Sequence, residues 1–116
     1  TLQRRERFEV DVDGERTPLP QLVGQRQPDL LLLNDGDLTY AKLRLDDASW
    51  EAASTRLKDV DGSLARTLLW GAAWDTVRDG EASAAWFVDL VLANVGHERD
   101  SSVVQTLLRR LLISLL

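Results

Sequence analysis

The sequence lacks the residues that metal and thiol chemistry use. Its 116 residues include no cysteine and a single histidine, His97. Without cysteine there are no disulfides and no thiolate metal sites. A catalytic zinc takes three protein ligands, and the H-E-x-x-H motif needs a second histidine where this chain has Ser101. We therefore predict no metal ligand in this chain and place His97 in a solvated loop.

Long apolar runs and a concentrated positive charge are also missing. No apolar run reaches the ~20 residues that span a bilayer, and no signal peptide opens the chain. The net charge is −5, from 14 basic and 19 acidic side chains. The one basic cluster, Arg4 to Arg7, is interrupted by Glu6, so nothing predicts binding to a membrane or to nucleic acid. Because the chain has no methionine and ends on an apolar run, we expect flanking sequence at both ends.

Catalytic patterns are absent as well. The serines lie outside any Gly-x-Ser-x-Gly elbow, and the seven glycines form no phosphate-binding loop. Acidic pairs occur at Asp35/Asp37 and Asp46/Asp47, where carboxylates stabilise turns and helix starts more often than they catalyse. We therefore assign no catalytic, cofactor-binding or metal residue to this chain.

The first residues of the chain show the alternation that is typical of a strand. Phe8, Val10 and Val12 alternate with acidic residues, as in a strand with one buried face. Further strand-like runs are Leu30–Leu33 and Leu38–Leu45, with turn residues at Asp13-Gly14 and Asn34–Asp37. Residues 1–45 are therefore predicted to be three or four antiparallel strands, the C-terminal part of a small β-sandwich domain.

From residue 46 the apolar period becomes that of helices. Asp46, Asp47 or Ser49 can cap a first helix that ends near Lys58, and Gly80 suits the end of a second. A third helix is predicted from about residue 83 to 95 and a fourth from residue 100. Short connections predict antiparallel neighbours. The predicted fold class is α+β, with residues 46–116 as the first helices of a helical, α-solenoid-like C-terminal domain.

Among the apolar residues, tryptophan and leucine are the candidates for a binding role. Trp70 and Trp74 share a helix face and could form an aromatic ligand wall, although a core role is the commoner one. Asp75 can pair with Arg78 on the exposed side of the same helix. Residues 103–116 carry leucines on more than one face, so further helices cover them or the chain self-associates there.

Two stretches carry a family resemblance: Leu33–Asp46 (LNDGDLTYAKLRLD) and Leu64–Asp79 (LARTLLWGAAWDTVRD). They resemble the C-terminal half of the actinobacterial aminopeptidase N family, the M1 zinc metallopeptidases. Members tend to have aspartate where this chain has Gly36 and methionine where it has Thr76. The matching region spans the end of the family's β-sandwich and the start of its helical domain.

The resemblance implies a parent zinc aminopeptidase that removes N-terminal residues from peptides in the cytoplasm. The family's zinc motif and its Gly-x-Met-Glu-Asn substrate motif lie upstream, so zinc would bind outside this segment. The segment alone is then expected to be inactive, with a scaffold and substrate-access role. The alternative is a non-enzymatic helical adaptor that binds a protein partner through its apolar C-terminal helix.

Overall fold

Four α-helices form the body of the chain in the computed structural model, which describes residues 3–38 and 41–115. They are α1 (Asp47–Arg56), α2 (Ser63–Arg78), α3 (Ala84–Asn94) and α4 (Ser101–Leu115). Three 3-10 turns accompany them, at Pro20–Leu22, Leu57–Asp59 and Val95–His97. The four predicted helices are confirmed, with ends shifted by one to three residues. Within the described ranges, no helix is long and apolar enough to cross a membrane.

Side-chain acceptors begin three of the helices. The Asp46 carboxylate accepts from the Ser49 amide at 3.2 Å, and the Ser83 hydroxyl accepts from the Trp86 amide at 3.1 Å. The Asp100 carboxylate accepts from the hydroxyl of Ser102 at 2.7 Å and from its amide at 2.9 Å. These bonds satisfy amides that the first helical turn leaves without partners. The bonds to Ser102 also hold the pKa of Asp100 below its usual value.

Gly80 ends α2 in the way its sequence predicts. It adopts φ = 77°, a conformation that glycine takes without the steric penalty other residues incur. The Glu81 amide donates to the Thr76 carbonyl at 2.9 Å, and the Gly80 amide donates to the Val77 carbonyl at 3.0 Å. This is a Schellman ending, which satisfies the last carbonyls of the helix and turns the chain towards α3.

Helix α3 lies at the centre of the bundle and contacts α1, α2 and α4. Its Phe87, Leu90 and Val91 are buried. They pack in one cluster with Leu57, Val60, Leu69, Trp70, Ala73 and Leu107. The short helices thus bury their apolar faces on one another, and this burial is the main force that holds the bundle together.

The predicted β-sandwich portion of residues 1–45 is wrong. No residue of 3–38 or 41–45 lies in a strand, and the apolar side of the first alternating run faces solvent, with Phe8 43% and Val12 78% exposed. The two predicted turns do form: Gly14 takes φ = 69°, and the Asp37 amide donates to the Asn34 carbonyl at 2.9 Å. Part of the predicted strand 38–45 (Thr39 and Tyr40) lies outside the described residues.

The chain before α1 packs against the helical bundle and not against a sheet. Leu30, Leu32 and Leu45 pack against the bundle core, and Leu43 is buried. Between the first two, the Leu31 amide donates to the buried Ser49 hydroxyl at 2.8 Å, where a sheet would have supplied a neighbouring carbonyl. An alternating pattern indicates which residues share an apolar side, but it does not say what covers them. The fold of the described residues is therefore helical.

Candidate functional site

The acidic pairs occupy the structural positions that their sequence context indicates. Asp35 forms an ion pair with Arg4 at 2.9 Å, and Asp46 caps α1. Asp37 and Asp47 are exposed. No two of these carboxylates share a cleft in the described structure, so the arrangement offers no acid–base pair.

His97 is exposed at the end of the 3-10 turn that follows α3. Among residues 3–38 and 41–115, no three His, Cys, Asp or Glu side chains are grouped closely enough to hold a metal ion. A catalytic zinc needs three such ligands. The described residues therefore do not fit a zinc site, and we derive no metal-dependent step from them.

The residue after His97 has a different role, which the sequence did not reveal. Glu98 is buried, with 4% of its side chain exposed. Its carboxylate accepts from Arg66 Nε at 3.0 Å and from the indole of Trp70 at 3.2 Å, while Arg66 also donates to the Val60 carbonyl at 2.9 Å. A buried tryptophan N–H usually finds an acceptor. The core position favoured for Trp70 was therefore the sequence signal that pointed to a buried acceptor.

A second buried polar group, Asn94, joins α1 to α3. Its side-chain oxygen accepts from the Lys58 amide at 3.0 Å. Its side-chain nitrogen donates to the carbonyls of Ser54 and Leu90, each at 2.9 Å. All its bonds remain inside the fold, so Asn94 is a structural residue and not a ligand group.

The tryptophans are part of the core, as the sequence favoured. Trp70 is buried and Trp74 half-buried, with the Trp74 ring centroid 5.2 Å from that of Phe87. Trp50 and Trp86 meet edge to face at 5.1 Å. These tilted and edge-on contacts are the arrangements that aromatic pairs prefer. Trp70 and Trp74 therefore do not form an open aromatic wall.

Beside Trp74 lies a cation that the sequence did not single out. The guanidinium carbon of Arg110 lies 5.5 Å from the centroid of the Trp74 ring, within the range of a cation–π contact. Burial is the main cause that lowers the pKa of Arg110. The predicted ion pair of Asp75 with Arg78 does not form within the described ranges; Asp75 instead acts on Arg110 over a longer distance.

Arg110 also borders a groove between α2 and α4, which we call the α2–α4 groove. It has a volume of about 250 Å³ and is lined by Thr67, Trp70, Gly71, Ser102, Val103, Thr106, Leu107 and Arg110. A Cβ placed on Gly71 would meet no atom within 4 Å, so the glycine leaves this side of α2 open.

Helix α4 exposes apolar surface on the side away from the core. Leu107 is buried, whereas Leu108 and Leu112 are 48% and 65% exposed. With Leu115, also exposed, they recur at helical spacing on one side of α4. We call Leu108, Leu112 and Leu115 the α4 stripe.

An ion-pair cluster ties the extended chain to the end of α2. Lys42 pairs with Asp79 at 3.3 Å, and Arg44 pairs with both Asp79 and Glu81. Hydrogen bonding to Lys42 is the main cause that lowers the pKa of Asp79, and bonding to Glu81 is the main cause that raises the pKa of Arg44. These side chains lie at the surface, so the cluster positions the chain without creating a reactive site.

The described geometry thus defines a helical domain built on one apolar core. The sequence model of the ERAP1-like C-terminal domain family matches residues 30–113, and the chain belongs to this family. It is also 47% identical over 114 residues to the aminopeptidase N of Streptomyces lividans. That match covers 98% of this chain and 13% of the relative, so the chain spans about an eighth of the relative's length. The resemblance to the aminopeptidase N family is confirmed.

Proposed function

We propose that this chain is the part of a zinc-dependent M1 aminopeptidase that supports the catalytic domain and limits which peptides reach it. The observation that carries the proposal is the 47% identity to an aminopeptidase N along almost the whole chain. Identity of that extent favours a shared architecture and a shared parent activity, the removal of N-terminal residues from peptides. The parent is proposed to act in the cytoplasm.

In this proposal the zinc ion is bound outside the 116 residues. Asp46 caps α1 and Asp35 pairs with Arg4, and His97 lies in no described group of three possible metal ligands. The packed bundle supplies a rigid body instead, as a scaffold requires. The division of the chain into residues 1–45 and 46–116 stays a prediction, without a β-sandwich in its first part.

The decisive experiment uses the protein encoded by the whole open reading frame, beside the 116-residue chain as a matched sample. We expect the whole protein to release p-nitroaniline from leucine p-nitroanilide, to lose this activity in EDTA, and to hold about one zinc ion. The 116-residue chain should hold none and show no activity. Activity in the short chain, or EDTA-resistant activity in the whole protein, would contradict the proposal.

The substrate-access role has its own readout. In the whole protein, kcat/KM for a short anilide substrate is compared with that for a decapeptide, in the wild type and in a bundle variant such as Phe87→Ala below its unfolding temperature. If the bundle limits access, the ratio of the two values changes. An unchanged ratio, with both values lowered equally, leaves only the scaffold role.

A second candidate function rests on the α4 stripe. Exposed leucines at helical spacing are typical of a helix that packs against another surface. We propose that the 116-residue chain self-associates through residues 103–116, and the alternative is an adaptor that binds another protein there. Light scattering over a hundredfold concentration range should show dimer or larger species, and Leu108→Glu with Leu112→Glu should return it to monomer. Exposed Gln105→Glu, on the same helix, is the matched control. A wild-type chain that stays monomeric throughout contradicts self-association.

A further inference from the structure

Arg110 is a half-buried cation without a matching anion among the described residues. Its guanidinium contacts the face of Trp74, but none of its N–H groups forms an ion pair or hydrogen bond within residues 3–38 and 41–115. Asp75 acts on it only over a longer distance, and Arg78 opposes that influence. A guanidinium carries five donors that match a carboxylate. Its surroundings are therefore complementary to an anion that is not part of the described chain.

The α2–α4 groove provides an apolar surface next to this cation. Val103 and Gly71 supply its accessible apolar lining, above the buried side chains of Trp70 and Leu107, and Gly71 leaves its α2 wall open. Its volume of about 250 Å³ lies just below the roughly 300 Å³ at which pockets for drug-sized ligands begin. The space therefore suits a ligand smaller than a drug-sized molecule.

The remaining polar groups of the groove are already engaged. The hydroxyls of Thr67 and Thr106 each donate to a carbonyl one turn back, at 2.9 Å, and the Ser102 hydroxyl donates to Asp100 at 2.7 Å. Apart from Arg110, the groove therefore offers no free side-chain donor to the successive carbonyl groups of a peptide backbone, and burying such groups unpaired is costly. A ligand with one anionic head and an otherwise apolar tail has no such cost.

From these observations we infer that the α2–α4 groove binds a small aliphatic carboxylate, with its carboxylate at Arg110 and its tail along Gly71 and Val103. The carboxylate can accept two parallel N–H bonds from the guanidinium, and the tail leaves water for the apolar wall. This inference does not depend on the proposed peptidase function.

The test is calorimetric titration of the whole encoded protein with sodium octanoate, together with the NMR shift of the Gly71 amide. We expect saturable binding with a Kd on the order of 1 mM, as suits a ligand of about ten heavy atoms. Acetate, which lacks the tail, and 1-octanol, which lacks the charge, should each bind at least about tenfold more weakly.

Two variants locate the site. Arg110→Gln removes the cation and should weaken octanoate binding at least about tenfold. Gly71→Leu fills the groove while placing a better helix former in α2, so it should abolish binding without lowering the unfolding temperature. Arg109→Gln makes the same charge change on an exposed neighbour outside the groove and should leave binding unchanged.

Several results would overturn the inference. These are an absence of saturable octanoate binding, equal binding of acetate or 1-octanol, and equal loss in Arg109→Gln and Arg110→Gln. Tighter binding of a tetrapeptide with uncharged side chains than of octanoate would also overturn the inference, because the groove would then accept peptide groups. Full binding by a folded Gly71→Leu variant would place the ligand elsewhere.

Discussion

The helical bundle of residues 47–115 and the described residues before it (3–38 and 41–46), which we call the extended region, differ in how fully they bury their apolar side chains. In the bundle, Phe87 is completely buried, whereas in the extended region Phe8 is 43% exposed. A helix satisfies its own backbone hydrogen bonds and needs a neighbour only for its apolar face. A strand needs a neighbour for both. The two regions show that helical periodicity specifies local structure by itself, whereas alternation specifies it only together with a partner.

Among the described residues, the extended region is attached to the bundle near residues 29–31, where Asp29 pairs with Arg56 at 3.3 Å, and near residue 43. Near residue 31, a backbone amide reaches the Ser49 hydroxyl and two leucines pack on the core. Near residue 43, Leu43 is buried between the ion pairs of Lys42 and Arg44. The rest of residues 3–29 makes few contacts that could couple its conformation to the unfolding of the bundle.

The largest expected effect compares two phenylalanines. Phe87→Ala removes a fully buried ring and should lower the free energy of unfolding by about 3–5 kcal/mol. Phe8→Ala, the matched change in the extended region, should lower it by less than about 0.5 kcal/mol, because exposed substitutions seldom exceed that. Urea denaturation followed by far-UV circular dichroism measures both. Equal losses would mean that the two regions unfold as one cooperative unit.

A smaller effect is expected from the buried carboxylate of the bundle. Glu98→Ala leaves the Trp70 indole and Arg66 without their acceptor and should cost about 2–3 kcal/mol. The exposed Glu51 on α1 makes no side-chain bond in the described structure, so Glu51→Ala is the matched control, expected within about 0.5 kcal/mol. The same urea experiment applies. A Glu98→Ala variant as stable as wild type would show that the network does not hold the bundle together.

The smallest effect concerns the ion-pair cluster between the regions. The pKa of Asp79 is lowered in the folded chain from an ordinary value of 3.8, so its contribution to stability is complete above that value and is lost as the pH falls through the folded pKa. NMR titration of the Asp79 carboxyl should give a pKa below 3.8. Combined Lys42→Gln and Arg44→Gln substitution should raise it, as should 1 M salt, which screens surface charges beyond about 3 Å.

Asp100 is the control for that titration. Its pKa is lowered by bonds to Ser102 and Val103 and not by a cation, so neither the double substitution nor the salt should move it comparably. Equal shifts at both carboxyls would indicate a general change in the fold. No shift at Asp79 would mean that the cluster does not hold the extended chain in solution.

Local signals in the sequence predicted most of the bundle. Asp46, Ser83 and Gly80 act at helix ends through bonds to residues within five positions, so the pattern that forms each bond lies within a few residues. The burial of Phe87 and Leu90 follows from helical spacing. The core role of Trp70 was favoured for the same reason.

Long-range choices were not predictable from the sequence. The alternation of Phe8, Val10 and Val12 is the same whether a sheet covers it or water does. Likewise, Leu107 and Leu108 are equally apolar, but only the packing of α4 on α3 decides which of them is buried. Glu98 lies in a loop whose sequence carries no distinctive motif, and its partners Arg66 and Trp70 are 32 and 28 residues away. The groove at Arg110 depends in the same way on the distance between α2 and α4.

Asn94 determines the register of the bundle. Leucines and alanines on facing helices can slide past one another by one turn, about 5.4 Å, and still find apolar neighbours. Asn94 cannot slide, since its side chain meets the carbonyl of Ser54 and the amide of Lys58 at one alignment only. A slipped pairing would keep the bond of Asn94 to Leu90 in its own helix but would leave the side-chain oxygen of Asn94 buried without a donor. One polar side chain thereby distinguishes a single alignment of α1 and α3 from others of nearly equal apolar contact.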